Sequence, residues 1–252
     1  MPAVSASVRA AAAAVTFLTR VPLGRRVVVD GADVARGALL FPVVGAGVGA
    51  LSGGVAVIAH PRLPALAAAG VALAVAVLLT GGMHVDALAD TFDALGASTR
   101  ERALEIMRDS RVGAFGATAL ILDLLVKAAA VAALLERGGA LPALVAAGAL
   151  SRAASPPLAV TLRYPRAEDG PGSVLTGRVG RPAALGGVAV AIGGARLAAG
   201  STGLVMAASV ACTTICLGLF YSRWLGGATG DCLGAATEIG ETVALVVAAA
   251  LA

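Results

Sequence analysis

Long apolar runs separated by short polar intervals organise almost the whole chain. Crossing about 30 Å of hydrocarbon takes roughly 20 helical residues. Segments of that length fall at about 37–59, 64–83, 114–135, 141–161, 183–200, 202–222 and 233–252. The pattern predicts an all-α, polytopic integral membrane bundle of about seven transmembrane helices, bounded at six to eight because 183–200 is short and glycine-rich and 233–252 carries two Glu. Val8–Leu18 is apolar but too short to span. With no basic stretch before it, it lacks the form of a signal peptide and reads as an interfacial helix retained in the mature protein. Residues 1–252 are expected to form one membrane domain whose first 36 residues lie at the interface.

The polar intervals are unequal. With seven spans, the N-terminus and the loops near 84–113, 162–182 and 223–232 share one side of the bilayer. Of 19 basic residues, only Arg62, Arg137 and Arg196 fall on the other side, while Lys127 and Arg152 sit inside spans. The positive-inside rule makes the rich side cytoplasmic. The same side holds nearly all the acids, including Asp30, Asp33, Glu168 and Asp169, against Glu136 opposite. Polar chemistry is thus expected at the cytoplasmic face of the bacterial inner membrane, with lipid around its scaffold.

Composition sharpens this picture. The chain is 58% hydrophobic and 13% charged, with a mean hydropathy of +0.91, which excludes an ordinary soluble domain. Its net charge of +4 is almost wholly arginine, Lys127 being the only lysine, and carries no nucleic-acid signal. Aromatics make up 3%, too few for an interfacial belt. Glycine is left to mediate close packing, with Gly45, Gly47, Gly49, Gly186, Gly187, Gly193 and Gly194 as candidates. The glycine-rich fifth and sixth spans leave open whether they pack within one chain or between two copies of a homo-oligomer. Cys212, Cys216 and Cys232 suggest neither a disulfide framework nor a zinc site.

The densest candidate chemistry follows Gly81-Gly82. Asp86, Asp90 and Asp93, spaced by four and three, share an arc of about 60° on a helix. Oxygen donors of this kind suit a hard cation, Mg²⁺ in particular where a phosphate completes the shell. The alternative is a set of solvated acids favoured by a helix N-terminus. Asp231, Glu238 and Glu241 form a second stripe about 80° wide. Two of these lie within an apolar span, where an ionisable group implies function or a partner. They are candidates for a further metal ion or for activating a hydroxyl.

Arg108 and Arg111 offer guanidinium forks suited to phosphate, although arginines in such loops also set topology. Asp109 and Ser110 lie between them. The loop Arg163-Tyr164-Pro165-Arg166, continuing through Gly170-Pro171-Gly172, has the same two readings, with its glycines able to bring backbone N–H groups to an anion. Asp123 and Lys127, four apart, can pair on one helix face. Arg152, just before Ser155-Pro156-Pro157, should face a polar cavity where the helix bends. His84 is a further candidate at the interface.

In order along the chain, several blocks resemble the cobalamin synthase (adenosylcobinamide-GDP ribazoletransferase) family. They are Phe17-Leu18-Thr19-Arg20-Val21-Pro22, Arg36-Gly37 with Phe41-Pro42, the segment Gly81 to Asp93, Glu105 to Gly113, Arg163-Tyr164 with the Arg and Gly residues after it, and Gly226 to Glu241. Ala87 and Ala94 depart from the family's usual Gly. The Asp-Gly-x₂-Ala-Arg start of CDP-alcohol enzymes is absent, and a transporter would hold its acids near the midplane.

The resemblance implies a phosphoryl transferase that joins adenosylcobinamide-GDP to α-ribazole, or to α-ribazole 5′-phosphate, releasing GMP. It implies Mg²⁺ as cofactor, with Asp86, Asp90 and Asp93 as its ligands. Asp231, Glu238, Glu241, Arg108 and Arg111 would then be catalytic. His84, Asp109, Ser110, Arg152, Arg163, Tyr164 and Arg166 would bind substrate.

Overall fold

The computed structural model describes residues 5–23, 27–166 and 171–252. Glu168, Asp169 and Gly170 of the candidate anion loop lie outside these residues. The helices are α1 Ala6–Leu18, α2 Gly31–Gly37, α3 Phe41–Ala59, α4 Ala65–Thr80, α5 Met83–Ala94, α6 Arg100–Ile106, α7 Ala114–Glu136, α8 Ala140–Arg152, α9 Ser155–Thr161, α10 Arg181–Trp224 and α11 Gly230–Leu251. Among the described residues there is no strand. Five stretches among the described residues are long and apolar enough to cross a membrane: 31–59, 114–136, 140–161, 181–224 and 230–251. The α4–α5 pair would make a sixth, but it is bent by 91°.

That bend corrects the expected second span at 64–83. Helix α4 ends at Thr80, and Gly81 (φ 69°) and Gly82 (φ 74°) are both left-handed, a conformation in which glycine avoids the usual Cβ penalty. The chain leaves α4 and runs back along α11 as α5. The N–H of Arg20 donates to the Leu79 carbonyl at 2.8 Å, occupying one of the carbonyls left open where α4 stops.

The expected fifth and sixth spans are joined in the 44-residue α10, whose only break is Gly200 (φ 62°, ψ −137°). There the chain folds back on itself. Gly203 packs against the Ala195 carbonyl, and Val188 and Ile215 line one crevice. The two arms, 181–199 and 201–224, are each of spanning length. They pack on one another through Gly203, whereas Gly193 and Gly194 touch nothing on their open side, a correction to their expected packing role.

Other small residues do bring backbones together. Gly45 lies on Gly148 and Gly49 on the Leu144 carbonyl, so α3 and α8 are antiparallel, with no room for a Cβ between them. A core of Ala68, Val131, Leu134, Leu144, Met206 and Leu245 fills the middle of the bundle. Outward faces are apolar as well: Leu78 is 75% and Leu197 89% exposed. Helix α7 shows the logic, because Ile121, Leu122 and Leu125 face outward while Lys127 is buried. An apolar exterior around buried charge is what lipid as solvent selects.

Contacts separate two ends. At one, Arg137 donates to the Ala249 and Ala252 carbonyls at 2.9 and 3.1 Å. At the other, Arg100 donates to the Pro165 carbonyl at 3.4 Å, and the N–H of Ala228 to the Arg163 carbonyl at 3.0 Å. The three loops expected on one side therefore meet in a single loop-rich end. Helix α1 is half-buried there, joined to α2 by an Arg9–Asp33 ion pair of 3.3 Å.

Candidate active site

Two helices bring the acidic stripes together. Helix α11 starts at the loop-rich end under a Thr229 cap, whose hydroxyl accepts from the N–H of Cys232 at 3.2 Å. Asp231 falls in its first turn, where the macrodipole favours a carboxylate. Helix α5 runs antiparallel to α11 with Ala87 against Gly234, a position where a Cβ would strike Ala87. This close approach sets Asp90 within the field of Asp231, Asp86 and Asp93. Asp86 is exposed, and Asp90 and Asp231 are half-buried. Arg166 stands 3.6 Å from Asp231 and is also bonded to the Leu104 carbonyl at 3.4 Å.

Asp93 shares the α5 stripe but has another occupation. Its two carboxylate oxygens accept the N–H groups of Gly113 (2.7 Å) and Gly116 (2.8 Å), capping α7, which has no cap of its own. Gly113 and Gly116 are glycine because a Cβ at either would overlap this carboxylate.

Of the candidate phosphate-binding arginines, Arg111 is exposed and forms a forked pair with Asp109, at 2.5 Å in its shortest contact. The guanidinium and the Arg111 N–H hold the Asp109 carboxyl down to about 2. Arg108 and Ser110 are exposed on the same loop. Arg163 is exposed, while the hydroxyl of Tyr164 is buried without a partner.

The second stripe is divided. Glu238 and Glu241 lie about two and three turns below Asp231, buried, and they meet the two charges expected inside spans. Lys127 bonds Glu238 and stands 3.9 Å from Glu241 and 3.4 Å from Asp123. Arg152 bonds Glu241 and reaches the Ser151 hydroxyl at 3.0 Å. Thr242 donates to Asp123. The expected Asp123–Lys127 pair is present but is one edge of a five-charge network joining α7, α8 and α11. Arg152 faces inward where α8 stops short of Pro156, and there it meets Glu241 beside a small polar cavity of about 20 Å³ that His84, Lys127 and Glu238 also line.

Two cavities flank Asp86. An open cleft of about 680 Å³ is lined by Thr16, Arg20, Gly82, Asp86 and Val112 among others. A narrower one of about 240 Å³ runs between α1, α5, α9 and α11, lined by Phe17, His84, Asp86, Ser155, Asp231 and Thr237 among others. His84 is buried, and its Nδ1 has no partner. The sequence reading missed Arg20, Ser155 and Thr237. The Phe17–Pro22 block was the available signal for Arg20, but none existed for the other two.

Among the described residues no three His, Cys, Asp or Glu side chains stand close enough to enclose an ion by themselves. Mg²⁺, however, is usually held by one or two carboxylates, with phosphate oxygens and water completing its octahedron. The hard oxygen donors of Asp86 and Asp90 beside an open cleft fit that requirement.

An acidic cleft with arginine beside it thus lies at one end of a helical bundle suited to a membrane, and comparison with known proteins places this architecture in a family of transferases. Residues 10–249 match the family model described as cobalamin-5-phosphate synthase, and the chain belongs to that family. It is 41% identical to the adenosylcobinamide-GDP ribazoletransferase of Escherichia coli (strain K12) over 239 residues, covering 93% of this chain and 96% of that protein. The protein of the same name from Shigella boydii serotype 4 (strain Sb227) is 40% identical over the same length and coverage. These relatives are transferases of cobalamin synthesis. No solved structure matches.

Proposed function

We propose that this chain transfers the cobinamide phosphoryl group of adenosylcobinamide-GDP to a secondary ribose hydroxyl, one that is free in both α-ribazole and α-ribazole 5′-phosphate. The observation that carries the reading is the meeting of Asp86 and Asp90 with Asp231 beside the 680 Å³ cleft. Asp231 accepts the hydroxyl proton as the oxygen attacks the phosphorus bonded to cobinamide. The anhydride bond to the second phosphorus breaks in line, and GMP leaves with the bridging oxygen. Bound at Asp86 and Asp90, Mg²⁺ would neutralise charge on the diphosphate. Arg166 orients Asp231 and opposes the acidic charge around it. Arg108 and Arg111 lie on the loop that α6 and the Asp93 cap hold beside the cleft, where they bind departing phosphate. Asp93 fixes that loop through Gly113 and Gly116. The loop-rich end faces the cytoplasm, where the arginine excess retains it.

The test is turnover of adenosylcobinamide-GDP plus α-ribazole by purified protein in lipid, with Mg²⁺ or EDTA, following GMP and cobalamin together. Equal, Mg²⁺-dependent formation of both is expected. Absence of product from well-folded protein would overturn the proposal.

A further inference from the structure

Asp86 stands between two cavities of different size and character, and the reaction needs two different substrates there. The smaller cavity, about 240 Å³, is bounded by Phe17, Leu18, Leu175 and Leu233, with its polar groups at Asp86 and Asp231, at Ser155 and Thr237, and at His84. Its volume lies below the ~300–1,000 Å³ of pockets that enclose a whole drug-sized ligand. It is large enough for a single fused ring system but not for a nucleotide or a corrinoid. The larger cleft, about 680 Å³, is open and carries Arg20, Thr16 and Thr19 near Asp86. That arrangement suits an anionic, bulky donor.

His84 lines the smaller cavity and also the small space it shares with Lys127, Arg152 and Glu238; it has 3% exposure, and its Nδ1 has no hydrogen-bond partner among the described residues. A buried polar nitrogen without a partner is costly, and a ligand that supplies one recovers that cost. Neutral imidazole has one N–H and one acceptor nitrogen. A benzimidazole glycosylated on one nitrogen has a single acceptor nitrogen and no N–H donor, so a ring N–H at this position would match it.

Resting on the phosphoryl-transfer reading above, we propose that the cavity between α1, α5, α9 and α11 is the acceptor subsite. It takes the fused aromatic base of the nucleoside, with His84 donating to the base's free ring nitrogen. The ribose then lies toward Asp86 and Asp231, with its attacking secondary hydroxyl at the donor's phosphorus. The donor occupies the open cleft on the other side of Asp86. His84 is therefore a specificity-determining residue for the acceptor.

The probes are 1,5,6-trimethylbenzimidazole, which keeps the base's shape and acceptor nitrogen, and 1,5,6-trimethylindole, which keeps the shape without that nitrogen. With wild-type protein in lipid, the benzimidazole is expected to compete with α-ribazole and not with adenosylcobinamide-GDP. The indole should bind about tenfold more weakly, as loss of one buried hydrogen bond implies. In His84→Phe the two probes should bind equally, and the KM for α-ribazole should rise with little change in that for the donor. His84→Asn, which restores an N–H donor, should recover part of the preference.

Competition with the donor, no competition with either substrate, or no preference for the benzimidazole in wild-type protein would each overturn the assignment. So would an undiminished preference in His84→Phe. The wild-type inhibition series gives an answer even if the variants fail to fold. Equilibrium dialysis of the probes separates the two proposals. Selective benzimidazole binding, displaced by α-ribazole, without any turnover would defeat the transferase reading but not the subsite. Turnover without that competition would do the reverse.

Discussion

The two acidic regions of α11 hold the same kind of residue in opposite electrostatic conditions. At the helix start, Asp231 joins Asp86 and Asp90, with Arg166 3.6 Å from Asp231, beside open cavities. Up to three turns deeper, Glu238 and Glu241 with Asp123 face Lys127 and Arg152, buried among apolar side chains. The difference follows from solvent. A carboxylate near water or a phosphate ligand can keep excess negative charge for a cation to bind, whereas one inside the bundle must be matched where it stands. One region is arranged to receive charge and the other to cancel it. By joining α7, α8 and α11, the second holds the helix on which the first is built.

The sharpest way to break this comparison is to remove one acid from each region. Asp90→Ala should lower turnover by about 10³-fold, the scale of losing a main electrostatic element of a site, while leaving thermal unfolding in detergent unchanged. Near-normal turnover would remove Asp90 from the site. Lys127→Met should act the other way, destabilising the fold by about 3–5 kcal/mol because it leaves buried carboxylates unmatched. Replacing Glu238 by Met as well should recover much of that loss, since an apolar pair can stand in for a buried ion pair. A double variant no more stable than Lys127→Met would mean that the network is more than charge cancellation.

Smaller effects sharpen the boundary between the regions. Asp93→Ala should cost about 1 kcal/mol, as for a lost helix cap, and should leave the Mg²⁺ concentration for half-maximal activity unchanged, whereas Asp86→Asn should raise it. A shift of the Mg²⁺ requirement in Asp93→Ala would return Asp93 to the metal ligands. Arg111→Lys should reduce kcat about tenfold, because its fork is lost while its charge stays.

The smallest effect concerns pH. Asp109 is held below its ordinary value by Arg111, so the pair's contribution is complete above about pH 4 and fades only as pH falls toward 2. Asp109→Asn should therefore leave the activity profile between pH 5 and 8 unchanged in shape. A new inflection in that range would place Asp109 in the proton chemistry.

Much of this was legible in the sequence. Hydrophobic run length dictated an all-helical membrane bundle, because a backbone in lipid must satisfy its own hydrogen bonds. The four-and-three spacing put Asp86, Asp90 and Asp93 on one helix, although the break at Gly81-Gly82 where that helix begins lay inside an expected span. The ordered blocks identified the family.

Tertiary structure decided what spacing cannot encode. Asp93 turned from its neighbours to the N–H groups of α7, twenty residues away. Glu238 and Glu241 parted from Asp231 because partners on α7 and α8 lie at their depth. Gly193 and Gly194 faced outward while Gly203 made the close contact. Periodicity fixes the face of a helix on which a side chain sits, but not which neighbour meets that face, and in lipid that neighbour determines whether a charge is free to act or already matched.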